Sequence, residues 1–222
     1  MAAVSAVAAT AMAGIILQAA AAPSVAAALS IFGYFTIQSN VGVAAVALVE
    51  LAALARGRRP GRGLAVARGW TLLAIGVTGI VFLLMLSSVW RPSGIQGVAN
   101  VLLHYASPAA AFAYWAAFAE KGLLRPRDGA LWLAHPLLYM AGAEAVGAFT
   151  GRLPYWFLNP YAPPPEGLGS WRALALVAVV MAAAMAALAQ GIVLADRLAA
   201  RLAARGMVRR SADHTTGGAT GA

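Results

Sequence analysis

Six apolar runs alternate with short polar segments along the chain, at about residues 3–22, 31–55, 66–89, 98–119, 130–149 and 171–195. Within each run the apolar residues fall on all sides rather than in one 3.6-residue stripe, and a helix apolar on every face belongs in lipid. About 20 residues at 1.5 Å each cross the roughly 30 Å hydrocarbon core of a bilayer. The pattern predicts an all-α membrane protein. It would be a single six-transmembrane-helix domain over residues 1–200, followed by a basic and then disordered tail over 201–222.

Composition strengthens this picture. Hydrophobic residues make up 62% of the chain against 10% charged, and mean hydropathy is +0.78. A soluble domain is about half apolar and a quarter charged. The net charge of +9 would suit a nucleic-acid partner, but the charges sit in short blocks between the apolar runs, so no nucleic acid is expected. Thirteen of the sixteen basic residues fall in three places. Arg56, Arg58, Arg59, Arg62 and Arg68 flank the second loop, and Lys121, Arg125 and Arg127 occupy the fourth. Arg197, Arg201, Arg205, Arg209 and Arg210 form the tail. The other three, Arg91, Arg152 and Arg172, lie on the opposite side. Basic loops stay in the cytoplasm, so both termini are expected inside, in a multi-pass protein of a bacterial plasma membrane. The four-residue spacing of Arg197, Arg201 and Arg205 makes a stripe suited to anionic lipid, and the segment beyond Ser211 reads as disordered.

Two segments admit alternatives. Ala19–Ala22 before Pro23 resembles a signal-peptidase site, but Met1–Gly14 contains no Lys or Arg, unlike a secretory signal. A retained first helix is expected; its removal would leave five. The external segment 150–170 carries Leu153-Pro154-Tyr155-Trp156-Phe157-Leu158-Asn159-Pro160-Tyr161 and then Pro163-Pro164-Pro165. An interfacial aromatic belt on a stiff connection is the expectation, and a lid over an outward-facing cavity is the functional alternative.

Polar groups inside spans are costly and mark function by default. Thr36, Gln38, Ser39 and Asn40 stand in the second run, Asn100 and His104 in the fourth, and His135 and Glu144 in the fifth. Thr36, His104 and Glu144 each lie roughly 8–9 Å from the external end of their helix at 1.5 Å per residue, so three helices share one polar layer. Thr36 with Asn40, and Asn100 with His104, are four apart and share faces. Pro108 cannot donate to the His104 carbonyl and should kink the helix there. Glu50 reads as an ordinary interfacial carboxylate beside the Arg-rich loop. His135 falls on roughly the opposite face from Glu144 and outside the candidate site.

A hydroxyl, an imidazole and a carboxylate at one depth are the parts of an acyl-transfer site. The base takes the hydroxyl proton, and the carboxylate holds the ring tautomer. Thr36, His104 and Glu144 are therefore the catalytic candidates, and Asn40 and Asn100 the substrate-binding ones. Each has a structural alternative: Thr36 bonded to its own i−4 carbonyl, Asn40 and Asn100 as interhelical glue, His104 as a satisfied structural group. With no cysteine and only three histidines, thiolate catalysis is excluded and neither a metal nor a cofactor is expected. The competing functional classes are a proton-linked transporter or lipid-binding protein, with Glu144 and His104 as a relay, and a scaffold without a cavity.

The segment Tyr34-Phe35-Thr36-Ile37-Gln38-Ser39-Asn40 resembles the second-helix signature of a family of mostly actinobacterial six-helix membrane proteins. So do Leu102-Leu103-His104 with Pro108 and Trp115, then Tyr139, and Gly151 through Pro154-Tyr155 and Phe157-Leu158. The likeness covers roughly residues 30–160. That family is distantly similar to the animal androgen-induced and androgen-dependent membrane proteins, six-helix hydrolases of fatty acid esters of hydroxy fatty acids. The resemblance implies Thr36 as nucleophile and His104 as base, with membrane lipids as surroundings and a lipid ester as substrate. The role of Glu144 as orienter comes from depth and chemistry alone.

Overall fold

A computed structural model of the protein describes residues 1–217, with side chains to residue 205. It is all-helical over that range. Four stretches are long and apolar enough to cross a membrane: Ala2–Ala20, Phe35–Ala55, Arg62–Leu86 and Trp171–Arg205. In chain order the helices are α1 (Ala2–Ala20), α2 (Val25–Ser30), α3 (Phe35–Ala55), α4 (Arg62–Val81), α5 (Gly94–Val101), α6 (Ser107–Phe118), α7 (Pro126–Trp132), α8 (Ala134–Thr150) and α9 (Trp171–Gly217). The segment after Ser211, expected to be disordered, continues as α9 backbone to Gly217, and residues 218–222 lie outside the described range.

Two of the six expected runs are interrupted, each at a proline. α5 leads into α6 through a π-helical turn at Leu102–Ala106. In it Ser107 N–H reaches back to the Leu102 carbonyl, and the next residue, Pro108, has no N–H to give. α7 and α8 meet at Leu133, where Pro136 cannot donate to the Trp132 carbonyl. A second π turn, Phe82–Leu86, extends α4.

α1 packs against α3, α5 and α6, while α4 packs on α3, α6, α7 and α9. Val4, Val7, Ala8 and Ala11 of α1 join Leu72, Leu73 and Ile75 of α4 in the central core, so the first run is an integral part of the bundle. Gly14 lets α1 approach closely, because a β-carbon there would meet Leu103 Cδ2 at 2.8 Å. The outer faces are apolar and bare: Leu84, Leu138, Phe149 and Val179 are all exposed. Such a surface is foreign to a soluble monomer and suits lipid.

The end of the bundle that carries the Arg-rich loop is locked by ion pairs. Glu50, expected as an interfacial carboxylate, is only 2% exposed. Arg68 grips it in a fork, Nε donating to Oε2 at 3.0 Å and Nη2 to Oε1 at 2.6 Å, and Tyr114 O–H donates to Oε1 at 2.7 Å. The correction has a simple cause. Arg68 is more than one turn inside α4, so it reaches across the α3–α4 hairpin rather than out to water. Arg62 makes a second fork to Asp128, at 3.0 and 2.9 Å. Its guanidinium holds the Asp128 carboxyl below the usual carboxylate range. Asp196 of α9 accepts from the N–H groups of Gly122 and Leu124 at 2.8 and 3.1 Å, and Lys121 donates to the carbonyls of Trp115, in the last turn of α6, and of Ala119 just after it.

Candidate functional site

At the opposite end of the bundle the first turn of α3 faces the π turn between α5 and α6. Thr36 is the second residue of α3, and His104 is the middle residue of the π turn. Thr36 Oγ1 lies 3.2 Å from His104 Nε2. The other ring nitrogen, Nδ1, lies 3.2 Å from the Asn100 carbonyl oxygen, which can only accept. Nδ1 therefore carries the proton and Nε2 presents a lone pair to the hydroxyl. That is the tautomer a general base requires. The ring also stacks on buried Phe82, with centroids 4.0 Å apart and planes at 23°.

The π turn sets this geometry. Ser107 bonds to Leu102, so the Leu103 carbonyl loses its ordinary i+4 donor, and Pro108 offers none in its place. The Asn40 carboxamide fills the gap, donating to Leu103 O at 3.3 Å and to Thr36 O at 2.8 Å. One buried side chain thus ties the turn that bears His104 to the turn that bears Thr36. Ser39 adds a link from Thr36 O to α4, since its hydroxyl donates to that carbonyl at 3.0 Å and meets Thr78 Oγ1 at 2.7 Å. Gly79 of α4 faces the turn, and a β-carbon there would sit in ordinary contact, 3.4 Å from the His104 carbonyl oxygen and from Pro108. π turns inside α-helices are frequent at functional sites.

The pair opens onto a cavity of about 460 Å³, within the roughly 300–1,000 Å³ of ordinary small-molecule sites. Gln18, Ala22 and Pro23 at the end of α1, Ala27 and Ser30 of α2, and Tyr34 form one side. Phe82, Leu86 and Trp90 form another, with Gln96, Asn100, Leu103 and His104 from α5 and the π turn. Pro154, Tyr155 and Trp156 complete it.

Pro154, Tyr155 and Trp156 of the aromatic segment after α8 thus form a wall of this cavity. Phe157 and Leu158 are buried against Leu174, and Trp156 Nε1 donates to the Met85 carbonyl at 3.2 Å. Gly147 admits the loop, for a β-carbon there would meet Leu153 Cδ2 at 2.5 Å. Sequence reading reached Tyr155 only as part of a possible lid and gave Phe82 no place in the site. The aromatic cluster around Pro154 was the available signal for the first; nothing marked the second.

The candidates separate clearly. Thr36, His104 and Asn100 come together at the cavity. Asn40 is fully buried and absent from the cavity wall, so it positions its neighbours rather than touching a ligand. Glu144 joins neither His104 nor the cavity: its Oε1 is buried without a hydrogen-bond partner among the described residues. The ring orientation expected of Glu144 is supplied by the Asn100 carbonyl, one helical turn before the histidine. His135 lies outside the site, stacked on Phe35 and 3.4 Å from Gln38 Oε1. No family model, curated protein or solved structure matches this chain.

Proposed function

We propose that the protein hydrolyses a long-chain lipid ester inside the membrane, with Thr36 as nucleophile and His104 as general base. The observation that carries this reading is the 3.2 Å approach of Thr36 Oγ1 to the unprotonated Nε2 of His104 at the wall of the cavity. A threonine hydroxyl is a weak nucleophile until a base takes its proton. Here Oγ1 attacks the ester carbonyl carbon as its proton passes to Nε2, and the carbonyl π electrons move onto oxygen. Collapse of the tetrahedral intermediate re-forms the carbonyl and breaks the ester C–O bond. The leaving alkoxide takes the proton from Nε2, and the acyl group stays on Thr36. Water then enters, gives a proton to Nε2 and attacks the acyl carbon. The second collapse returns that proton to Oγ1 and frees the fatty acid. The cavity alone would suit a lipid-binding protein equally; the ring-to-hydroxyl pair in the base tautomer is what favours chemistry.

The same reading makes the protein a six-crossing component of a bacterial plasma membrane with both termini in the cytoplasm. Residues 94–118 and 126–150 are nearly continuous helix and, at 1.5 Å per residue, reach roughly 37 Å despite their proline breaks. That is enough to complete six crossings of a core of roughly 30 Å. The distribution of Lys and Arg then orients the Thr36–His104 end outward.

The test is turnover of long-chain esters by detergent-purified protein, read as released fatty acid. Wild type should release acid, while Thr36→Ala and His104→Ala should each lose nearly as much rate as the double variant, as members of one unit do. Full turnover by Thr36→Ala would refute the mechanism.

A further inference from the structure

Thr36 stands at the meeting of two spaces of different character. The large cavity lies on the His104 side. On the other side a narrow slot of about 40 Å³ runs between α4, α8 and α9, and Thr36, Leu86 and Tyr155 line both. His104 lines the large cavity and not the slot. Beyond Thr36 the slot is walled by Val77 and Val81 of α4, Met140 of α8, and Met181 and Met185 of α9. Two polar side chains at its edge are turned to other partners. The Thr78 hydroxyl meets Ser39 Oγ at 2.7 Å, and Tyr139 O–H donates to the Gly33 carbonyl at 3.1 Å.

A second narrow space, of about 60 Å³, continues the first. Val77, Val81, Met181 and Met185 belong to both, and the second adds Ile80, Ala184 and Leu188. Ile80 is 47% exposed on the outer surface of the bundle, so the path ends on the side that faces lipid. From Met181 to Leu188 it follows α9 for roughly 10 Å at 1.5 Å per residue. The two shared methionines are unbranched and adaptable, the side chains that fill irregular apolar gaps and re-pack around a ligand.

The chemistry decides which part of an ester enters which space. The carbonyl carbon attacked by Thr36 Oγ1 carries two substituents, the acyl chain and the alkoxy group. The alkoxy oxygen leaves with the proton held on Nε2, so it must lie on the side of His104, in the large cavity. Water for the second half of the reaction gives its proton to the same nitrogen, and the polar side chains of Gln18, Gln96 and Asn100 line that cavity. The acyl chain is left with the apolar slot on the far side of Thr36.

We propose that the slot is the acyl-chain subsite, in which the chain passes Met181 and Met185 and emerges into the bilayer near Ile80, while the large cavity takes the leaving alcohol. This rests on the hydrolase reading above. The slot is too narrow for a polar headgroup and holds only the first few methylenes, so a long chain continues into lipid. Its opening on the side of the bundle lets a lipid ester reach a buried threonine without leaving the membrane.

A long-chain fluorophosphonate with a diazirine part-way along its alkyl chain tests this on the wild-type protein. The Thr36 Oγ1–P bond forms as the P–F bond breaks and the hydroxyl proton passes to Nε2, and the alkyl chain then lies where the acyl chain would. After irradiation and digestion, the cross-link is expected on the α9 peptide bearing Met181 and Met185 or the α4 peptide bearing Val77 and Val81. A cross-link to Gln18, Trp90 or Gln96 instead would put the chain in the large cavity and overturn the assignment. Met181→Trp fills the slot, so the ratio of octanoate to butyrate ester turnover, each as kcat/KM, should fall by roughly tenfold or more. An unchanged ratio would also overturn the subsite, and in both cases phosphonylated Thr36 would leave the hydrolase reading standing. Wild-type protein that neither takes the phosphonyl group on Thr36 nor releases acid would overturn the hydrolase reading and the subsite with it.

Discussion

The carboxamide of Asn40 donates at 3.3 Å to the carbonyl of Leu103, an oxygen that the π turn and Pro108 together leave without a helical partner. Asn40→Leu removes that donor and keeps most of the volume. A buried carbonyl stripped of its partner costs about 1–3 kcal/mol, so the thermal midpoint in detergent should fall. Ester turnover should fall further than stability alone explains, because the link between the turns bearing Thr36 and His104 is lost. An Asn40→Leu protein with unchanged midpoint and rate would show that Leu103 finds its partner elsewhere.

Glu50, Arg68 and Tyr114 fix three helices at the other end of the bundle. Glu50→Ala leaves the Arg68 guanidinium buried and unpaired, a change that costs about 3–5 kcal/mol in comparable sites. Replacing both partners with apolar residues, Glu50→Leu with Arg68→Met, should restore much of the loss, since the stranded charge is gone. Thermal unfolding of the two variants in one detergent makes the comparison. Equal destabilisation of the single and double variants would argue against a stranded charge.

Arg62 lowers the pKa of Asp128 in the folded protein. A depressed carboxyl binds its proton less readily folded than unfolded. Its contribution to stability is thus present above the unfolded value of about 3.9 and is lost as pH falls through the lower folded value. Asp128→Asn should therefore be less stable than wild type at neutral pH, and the gap should close as the buffer is taken below about pH 4. Thermal midpoints of both proteins across that range read the difference directly. A gap that stays constant in acid would mean the pair contributes nothing through its charge.

Orientation is open to reporter fusions. A reporter joined after Arg210 should read as cytoplasmic, and one inserted near Pro164 as external. An external reading at Arg210 would contradict the topology drawn from the basic loops.

Much of the fold was legible because lipid imposes long apolar runs, and the core positions of α1, α3, α4 and α9 fall within runs read from sequence. The meeting of Thr36 and His104 was legible for a related reason: depth along a straight helix follows from residue counting, and i, i+4 spacing fixes the shared face. What counting misses is contact between distant elements and the use of backbone atoms. Glu144 looked like the ring orienter because it is the acid at the right depth, yet a carbonyl of the same helix, at Asn100, takes Nδ1. Every residue carries a carbonyl, so none stands out in a sequence. Glu50 looked interfacial because its partner Arg68 was counted among the loop cations rather than as a residue inside α4. The place of Tyr155 in the cavity wall was legible only through the lid alternative, because folding a loop back into a bundle depends on packing, such as Leu153 on Gly147, that no periodicity reveals. Pro108 was read correctly as a break, but as a kink; the widened turn also takes a hydrogen bond from Asn40 across the interface.

The most direct measurement is the chemical fate of Thr36 itself. Purified protein is treated with a long-chain fluorophosphonate, digested, and the peptide bearing Thr36 examined by mass spectrometry. The predicted result is a phosphonyl group on Thr36 in wild type, and little or none in His104→Ala, because the hydroxyl attacks only when Nε2 takes its proton. Labelling at another residue, or equal labelling of Thr36 with and without His104, would contradict a nucleophile activated by that histidine.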